Sequence, residues 1–158
     1  MDIRMKEAAG EPVQSARGGR FATFLVDGLL FGVAVADVQE VLRPQAMTRV
    51  PLAPAVISGL INLRGQIVTA LDMRQRLKLA PRAAGAAPMN IVVRADDEPL
   101  SLLVDEIGDV IDVDADSFER RPNNLDAGVK ELIAGVCKLK DRLMLVLDTH
   151  ATVALTDQ

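Results

Sequence analysis

The residues able to do covalent or acid–base chemistry are few in this chain and far apart. Its one histidine, His150, sits between Thr149 and Ala151, and its one cysteine is Cys137. A hydrolytic triad needs a base held beside a nucleophile. His150 reads instead as a surface residue at a helix terminus. A lone cysteine can make neither an internal disulfide nor a cysteine-based zinc site, so Cys137 reads as a small buried hydrophobe. Asp112, Asp114 and Asp116 alternate in a way that suggests a cation site, but the stretch lacks the glycine and the closing glutamate of a calcium loop. There is no Gly-rich phosphate loop and no HExxH motif. Asp96, Asp97 and Glu98 before Pro99 have the composition of a solvated hairpin turn. What remains is Arg64 and the chemistry of recognition. In ISGLINLRGQIVTALDMRQR, Ile57 to Arg76, a guanidinium stands at a turn beside Gly65, which can take the positive φ of a tight hairpin. The plain reading of Arg64 is a solvated turn residue. The sharper one is a partner for a carboxylate on another surface, with Asn62 and Gln66 fixing the loop on either side.

These residues need elements to hold them, and the pattern predicts mainly strands. Leu60, Ile61 and Leu63 before the turn, and Ile67, Val68 and Leu71 after it, have the apolar density of strands buried on at least one face. FATFLV and LLFGVAV flank Asp27-Gly28, a hairpin signal. Val35, Val38, Val41 and Leu42 recur at helical spacing, which predicts a short amphipathic turn or helix with Asp37 and Glu40 on its polar side. Pro54 is placed to start a short helix ending near Gly59, and Asp72 to cap a helical turn over DMRQRL. Residues 1–20 lack periodicity and read as a mobile tail, residues 79–88 read as a linker of Ala, Gly and Pro, and residues 154–158 as a C-terminal tail.

The chain on either side of that linker repeats. FGVAVADVQEVL, Phe31 to Leu42, is echoed by LSLLVDEIGDVI, Leu100 to Ile111, displaced by 69 residues (31 to 100). Ile57 to Met73 is echoed by Ile133 to Thr149, displaced by 76 (57 to 133), with Gly59, Leu63, Leu71 and Asp72 recurring as Gly135, Leu139, Leu147 and Asp148. Two copies of a strand-rich unit are the simplest account. Each has enough strands for a small, nearly closed barrel, the first over about 21–78 and the second over about 89–153, with the crevice between them as the default binding site.

Composition narrows the function further. Aromatic residues are 3% of the chain, with no Trp and no Tyr, so base-stacking platforms and aromatic cages are missing. A net charge of −4 with scattered Lys and Arg argues against a nucleic-acid surface. No apolar run has the roughly 20 residues of a membrane helix, and the start lacks a signal-peptide core, so the expectation is a cytoplasmic protein without membrane insertion.

Taken together, FGVAVADVQEVL, the Thr48-Arg49-Val50-Pro51 link with Pro54, ISGLINLRGQIV followed by LDMRQRL, LSLLVDEIGDVI and LIAGVCKLKDRLMLVLD resemble the CheW family of chemotaxis adaptors, from Phe21 to about Val153. The resemblance implies two pseudo-symmetric five-stranded, Src-homology-3-like β-barrels with a few short helices. It implies a noncatalytic scaffold without cofactor or metal, contacting both the hairpin tip of a methyl-accepting chemotaxis receptor and the regulatory domain of a CheA-type histidine kinase. It is expected to be monomeric alone and able to assemble in receptor arrays. Carried over by position, receptor contacts fall on Val38, Glu40, Val41, Gly59, Arg64, Met89 and Ile107, and kinase contacts on Val33, Val35 and Thr48. Glu40 and Arg64 would share one surface and could pair. The chain departs from the family pattern at Ser101, where glycine is frequent, at Thr69, where proline is common, and at Asn123-Asn124, where an apolar residue helps adaptor rings form. An adaptor of a parallel pathway controlling pili or biofilm signalling fits the same pattern. A small-molecule-binding β-barrel is weakened by the missing Trp and Tyr.

Overall fold

A computed structural model describes residues 19–154. Eleven strands and three short helices follow one another as β1 (Gly19–Val26), β2 (Leu29–Ala34), β3 (Val38–Leu42), β4 (Ile57–Leu63), β5 (Gln66–Asp72), α1 (Met73–Arg76), β6 (Met89–Ala95), β7 (Glu98–Val104), β8 (Glu106–Val113), β9 (Phe118–Glu119), α2 (Ala127–Lys130), β10 (Ile133–Lys138), β11 (Leu143–Leu147) and α3 (Thr149–Val153). Tight turns make the hairpins where turn chemistry predicts them. Asp27-Gly28 and Arg64-Gly65 both have positive φ at each residue, and Asp96-Asp97 does the same without glycine. Asp72 caps α1, its carboxylate accepting from Arg74 N–H at 3.0 Å. No helix follows Pro54; a turn leads directly into β4. The expected N-terminal tail falls mostly outside the described residues, but Gly19 and Arg20 already pair with β8.

The strands form two sheets, in the orders β8-β1-β2-β11-β10-β9 and β3-β6-β7-β5-β4. The internal repeat is confirmed residue by residue. Phe24 faces Phe31 as Val93 faces Leu100, Val41 faces Ile91 as Val110 faces Ala22, and Thr69 lies beside Leu100 as Leu145 lies beside Phe31. Each pair maps onto its twin by the displacements of 69 and 76. The lone bridge of Thr48 to Leu60 even matches the pairing of Glu119 with Val136.

The barrels, however, are not the two halves of the sequence. β1 and β2 complete the sheet of the second half, while β6 and β7 complete that of the first. The expected boundaries of 21–78 and 89–153 therefore divide the repeats and not the barrels. Nothing in a strand's apolar pattern states which repeat supplies its neighbour.

Three apolar clusters follow from this exchange. Ile61, Leu63, Val68, Ala70, Val92 and Leu103 fill one barrel. Phe21, Val113, Cys137, Met144 and Val146 fill the other. The largest cluster, including Phe24, Phe31, Leu71, Ile91, Leu102, Ile133 and Leu147, is shared by strands of both sheets. Along β1, Phe21 faces its own barrel while Phe24 and Val26 face the shared core, the two-residue period of a strand covered on both sides. Cys137 is buried as expected, and burial pushes its thiol pKa up.

The two barrel interiors differ in polarity around Gly32 and its twin. Gly32 leaves room for Met144, whose sulfur would meet any Cβ added there at 2.5 Å. Its twin is Ser101, buried, whose hydroxyl donates to Asn90 Oδ1 at 2.7 Å, while Asn90 Nδ2 donates to the Arg43 carbonyl at 3.1 Å. A polar pair inside a barrel is tolerable only while it stays satisfied. Ser101→Ala is expected to leave Asn90 Oδ1 without its donor and to cost about 1–3 kcal/mol, read as a lower denaturant midpoint at unchanged m-value.

Candidate receptor and kinase surface

The predicted helical turn at Val35–Leu42 is a 3-10 turn over Val35–Asp37 followed by the strand β3. The helical spacing has a different origin. Between Val38, opposite Val93, and Val41, opposite Ile91, β3 spends three residues where β6 spends two, so a bulge restores Val38 and Val41 to one face. That face belongs to the shared core, against which Val38 packs. Val41 continues it outward and is 42% exposed.

Glu40 lies in the bulged stretch and pairs with Arg64 at the tip of the β4–β5 hairpin, Nη2 to Oε2. The Arg64 side chain is 70% exposed and that of Glu40 is 21% exposed. The Asn62 carboxamide oxygen accepts from Gly65 N–H at 2.9 Å and fixes the turn that presents the guanidinium. Arg64 is thus a surface cation joined to a carboxylate of its own sheet, the Glu40–Arg64 pairing that the family resemblance implies.

The other expected residues divide. Met89 and Ile107 pack against the same shared core as Val38, one from each sheet. Gly59 is buried and presents no side chain. A Cβ there would stand 2.6 Å from the Thr48 carbonyl, so glycine is needed for the Met47–Thr48 segment to close over β4. Gly135 does the same beneath Glu119. Of the kinase-facing set, Thr48 is exposed and its backbone bridges Leu60 at 2.9 and 2.8 Å. Val35 is half-buried in the 3-10 turn. Val33 is fully buried on β2, which lies inside the sheet between β1 and β11, so it cannot serve an exposed edge.

One charged cluster escaped the sequence reading. Asp105, where the chain leaves β7, accepts from Arg74 Nη2 at 2.7 Å and Nε at 3.1 Å, from Arg82 Nε at 3.2 Å, and from Asp27 N–H at 2.7 Å. Arg74 also donates to the carbonyls of Ala80 and Pro81, pinning the linker. Burial alone would raise the Asp105 pKa, but these donors outweigh it and hold the carboxyl below its ordinary value, while hydrogen bonding to Asp105 raises that of Arg74. The available signal was in the repeat, where this acid stands opposite Ala36. His150 is exposed in α3 and lies 3.5 Å from Asp96, and among the described residues no group of acids, histidines or cysteines has the arrangement of a metal site.

A family model described as CheW-like domain matches residues 20–156. The chemotaxis protein CheW of Bacillus subtilis (strain 168) is 29% identical over 136 residues, 86% of this chain and 87% of the relative. That of Treponema pallidum (strain Nichols) is 27% identical over 135 residues, 83% of this chain and 79% of the relative. The protein PilI of Pseudomonas aeruginosa is 27% identical over 144 residues, 91% of this chain and 79% of the relative. Among solved structures, the scaffolding protein TtCheW of Thermoanaerobacter tengcongensis superposes with a TM-score of 0.79 at 26% identity, covering 89% of this chain and 96% of that one.

Proposed function

This chain belongs to the CheW-like domain family of chemotaxis coupling proteins, and we propose that it is a noncatalytic, cytoplasmic adaptor joining a methyl-accepting receptor to a CheA-type histidine kinase. The observation that carries the residue assignment is the Glu40–Arg64 pair beside exposed Val41. Apolar surface from Val38, Val41, Met89 and Ile107 receives the receptor's helical hairpin tip, and the charged pair at its rim sets orientation and rejects wrong partners. Thr48 and Val35 remain the kinase-facing candidates. An adaptor of a pilus-related pathway is the second reading, favoured by the likeness to PilI.

The test is charge reversal. Arg64 is largely exposed, so its pair adds only about 0–1 kcal/mol and Arg64→Glu is expected to melt near the parent temperature. Receptor-fragment affinity is expected to fall by about tenfold or more, with kinase-domain affinity little changed. Titrations of both partners, with a thermal melt, measure this. Glu40→Arg combined with Arg64→Glu recovers receptor affinity if the pair shapes the adaptor's own surface, and stays impaired if each charge meets the receptor directly. Unchanged receptor affinity in Arg64→Glu would remove this surface from the proposal.

A further inference from the structure

The described chain passes between the sheets twice, at pseudo-equivalent places: from β2 to β3 through Val35–Asp37, and from β7 to β8 at Asp105. The two crossings are tethered unequally. At the second, Asp105 gathers Arg74, Arg82 and the Asp27 N–H, with the Arg74, Arg82 and Asp105 side chains each less than 20% exposed. At the first, the twin of Asp105 is Ala36, and the twins of Arg74 and Asp27 are His150 and Asp96, both largely exposed and 3.5 Å apart. One side-chain bond, from Thr149 Oγ1 to Asp37 Oδ2 at 3.1 Å, ties that turn to α3.

The bulges repeat the inequality. In β8 the bulge carbonyl of Asp109 accepts from the buried Thr23 hydroxyl at 2.6 Å. The twin of Thr23 is Val92, which has no hydroxyl to offer β3, and the bulge residue Gln39 is held only at the surface, its Oε1 accepting from exposed Arg94 Nη1 at 3.0 Å. The Glu40–Arg64 pair and the Gln39–Arg94 bond both join β3 to strands of its own sheet and do not brace the crossing.

We propose that the fold has one locked and one compliant crossing, so that Val35–Leu42 moves as an arm while 104–111 stays fixed. A partner binding on β3 would then act by immobilising this arm. That consequence rests on the functional reading above, whereas the arm's mobility does not and is measured on the isolated protein.

Native-state hydrogen exchange of the purified chain tests it. Protection factors over residues 35–42 are expected to be at least about tenfold lower than over 104–111. Thr23→Val, close in shape, is expected to lower protection over 104–111 toward that of 35–42, and Ala36→Asp with His150→Arg, both on the surface, to raise it over 35–42. Equal protection of the two segments in the parent chain overturns the proposal. So does a parent difference that Thr23→Val leaves unchanged, because the tethers would then not be its cause. A parent chain that shows the exchange difference but does not bind the receptor fragment would sink the functional reading alone.

Discussion

Cut between Ala83 and Ala84, inside the linker, the chain is expected to yield two fragments that do not fold separately and that regain strand content only when mixed. The first fragment would hold β1 and β2 without β8 and β11, and β3 and β5 without β6 and β7. Every one of those contacts is a full strand ladder or a register-defined parallel pair. The shared core would be divided as well, leaving Phe24, Phe31 and Leu71 without Ile91, Leu102, Ile133 and Leu147. A domain's net stability is about 5–15 kcal/mol, and halving both its sheets and its largest core removes all of it. Circular dichroism and amide dispersion of each fragment, then of the equimolar mixture, measure the outcome. Cooperative melting of the first fragment alone would mean that the exchanged strands are dispensable.

Removing the Asp105 carboxylate is expected to have the next largest effect. Asp105→Ala strands two arginines at a site where all three side chains are less than 20% exposed, and breaking such a pair costs about 3–5 kcal/mol when fully buried, so roughly 2–4 here. The pH dependence has a definite sign. The carboxyl is held below its ordinary value in the folded chain, so its contribution is fully present above the unfolded value of about 4 and is lost as pH falls through the lower folded value. Asp105→Asn should therefore be less stable than the parent at pH 7, with the gap narrowing only below about pH 4. Denaturant midpoints at pH 7, 5 and 3 check this. A gap that is constant down to pH 3 would assign the loss to packing.

Much of this fold is legible in the sequence, because turn chemistry and repetition are local facts. Asp27-Gly28, Arg64-Gly65, the Asp72 cap and the paired blocks at 69 and 76 residues all hold. What was not legible depends on partners distant in sequence. Val38 and Val41 lie three apart because β3 is bulged, and three is also a helical interval, so the pattern alone could not choose. Val33 looks the same on an edge strand as on an inner one, and only pairing with β11 encloses β2. Gly59 is expected as a receptor contact from the family resemblance, whereas the structure shows that the absence of a side chain there serves the close approach of Thr48. The Glu40–Arg64 pair was reached by family likeness, from residues 24 positions apart that the structure brings together.

The exchange of strands also sets a timetable for synthesis. Phe31 on β2 lies beside Leu145 on β11, 114 residues later (31 to 145). At about 5–20 residues per second, roughly 6–23 s pass between the appearance of the two. The β1–β2 hairpin can close at once, but its Phe24 and Phe31 rings, stacked 5.5 Å apart, belong to a core that is complete only when Leu145 and Leu147 of β11 have emerged. The nascent chain therefore carries an apolar hairpin through the synthesis of the 114 residues from Phe31 to Leu145, a long-lived target for a ribosome-associated chaperone and a template for wrong pairing with a neighbouring copy.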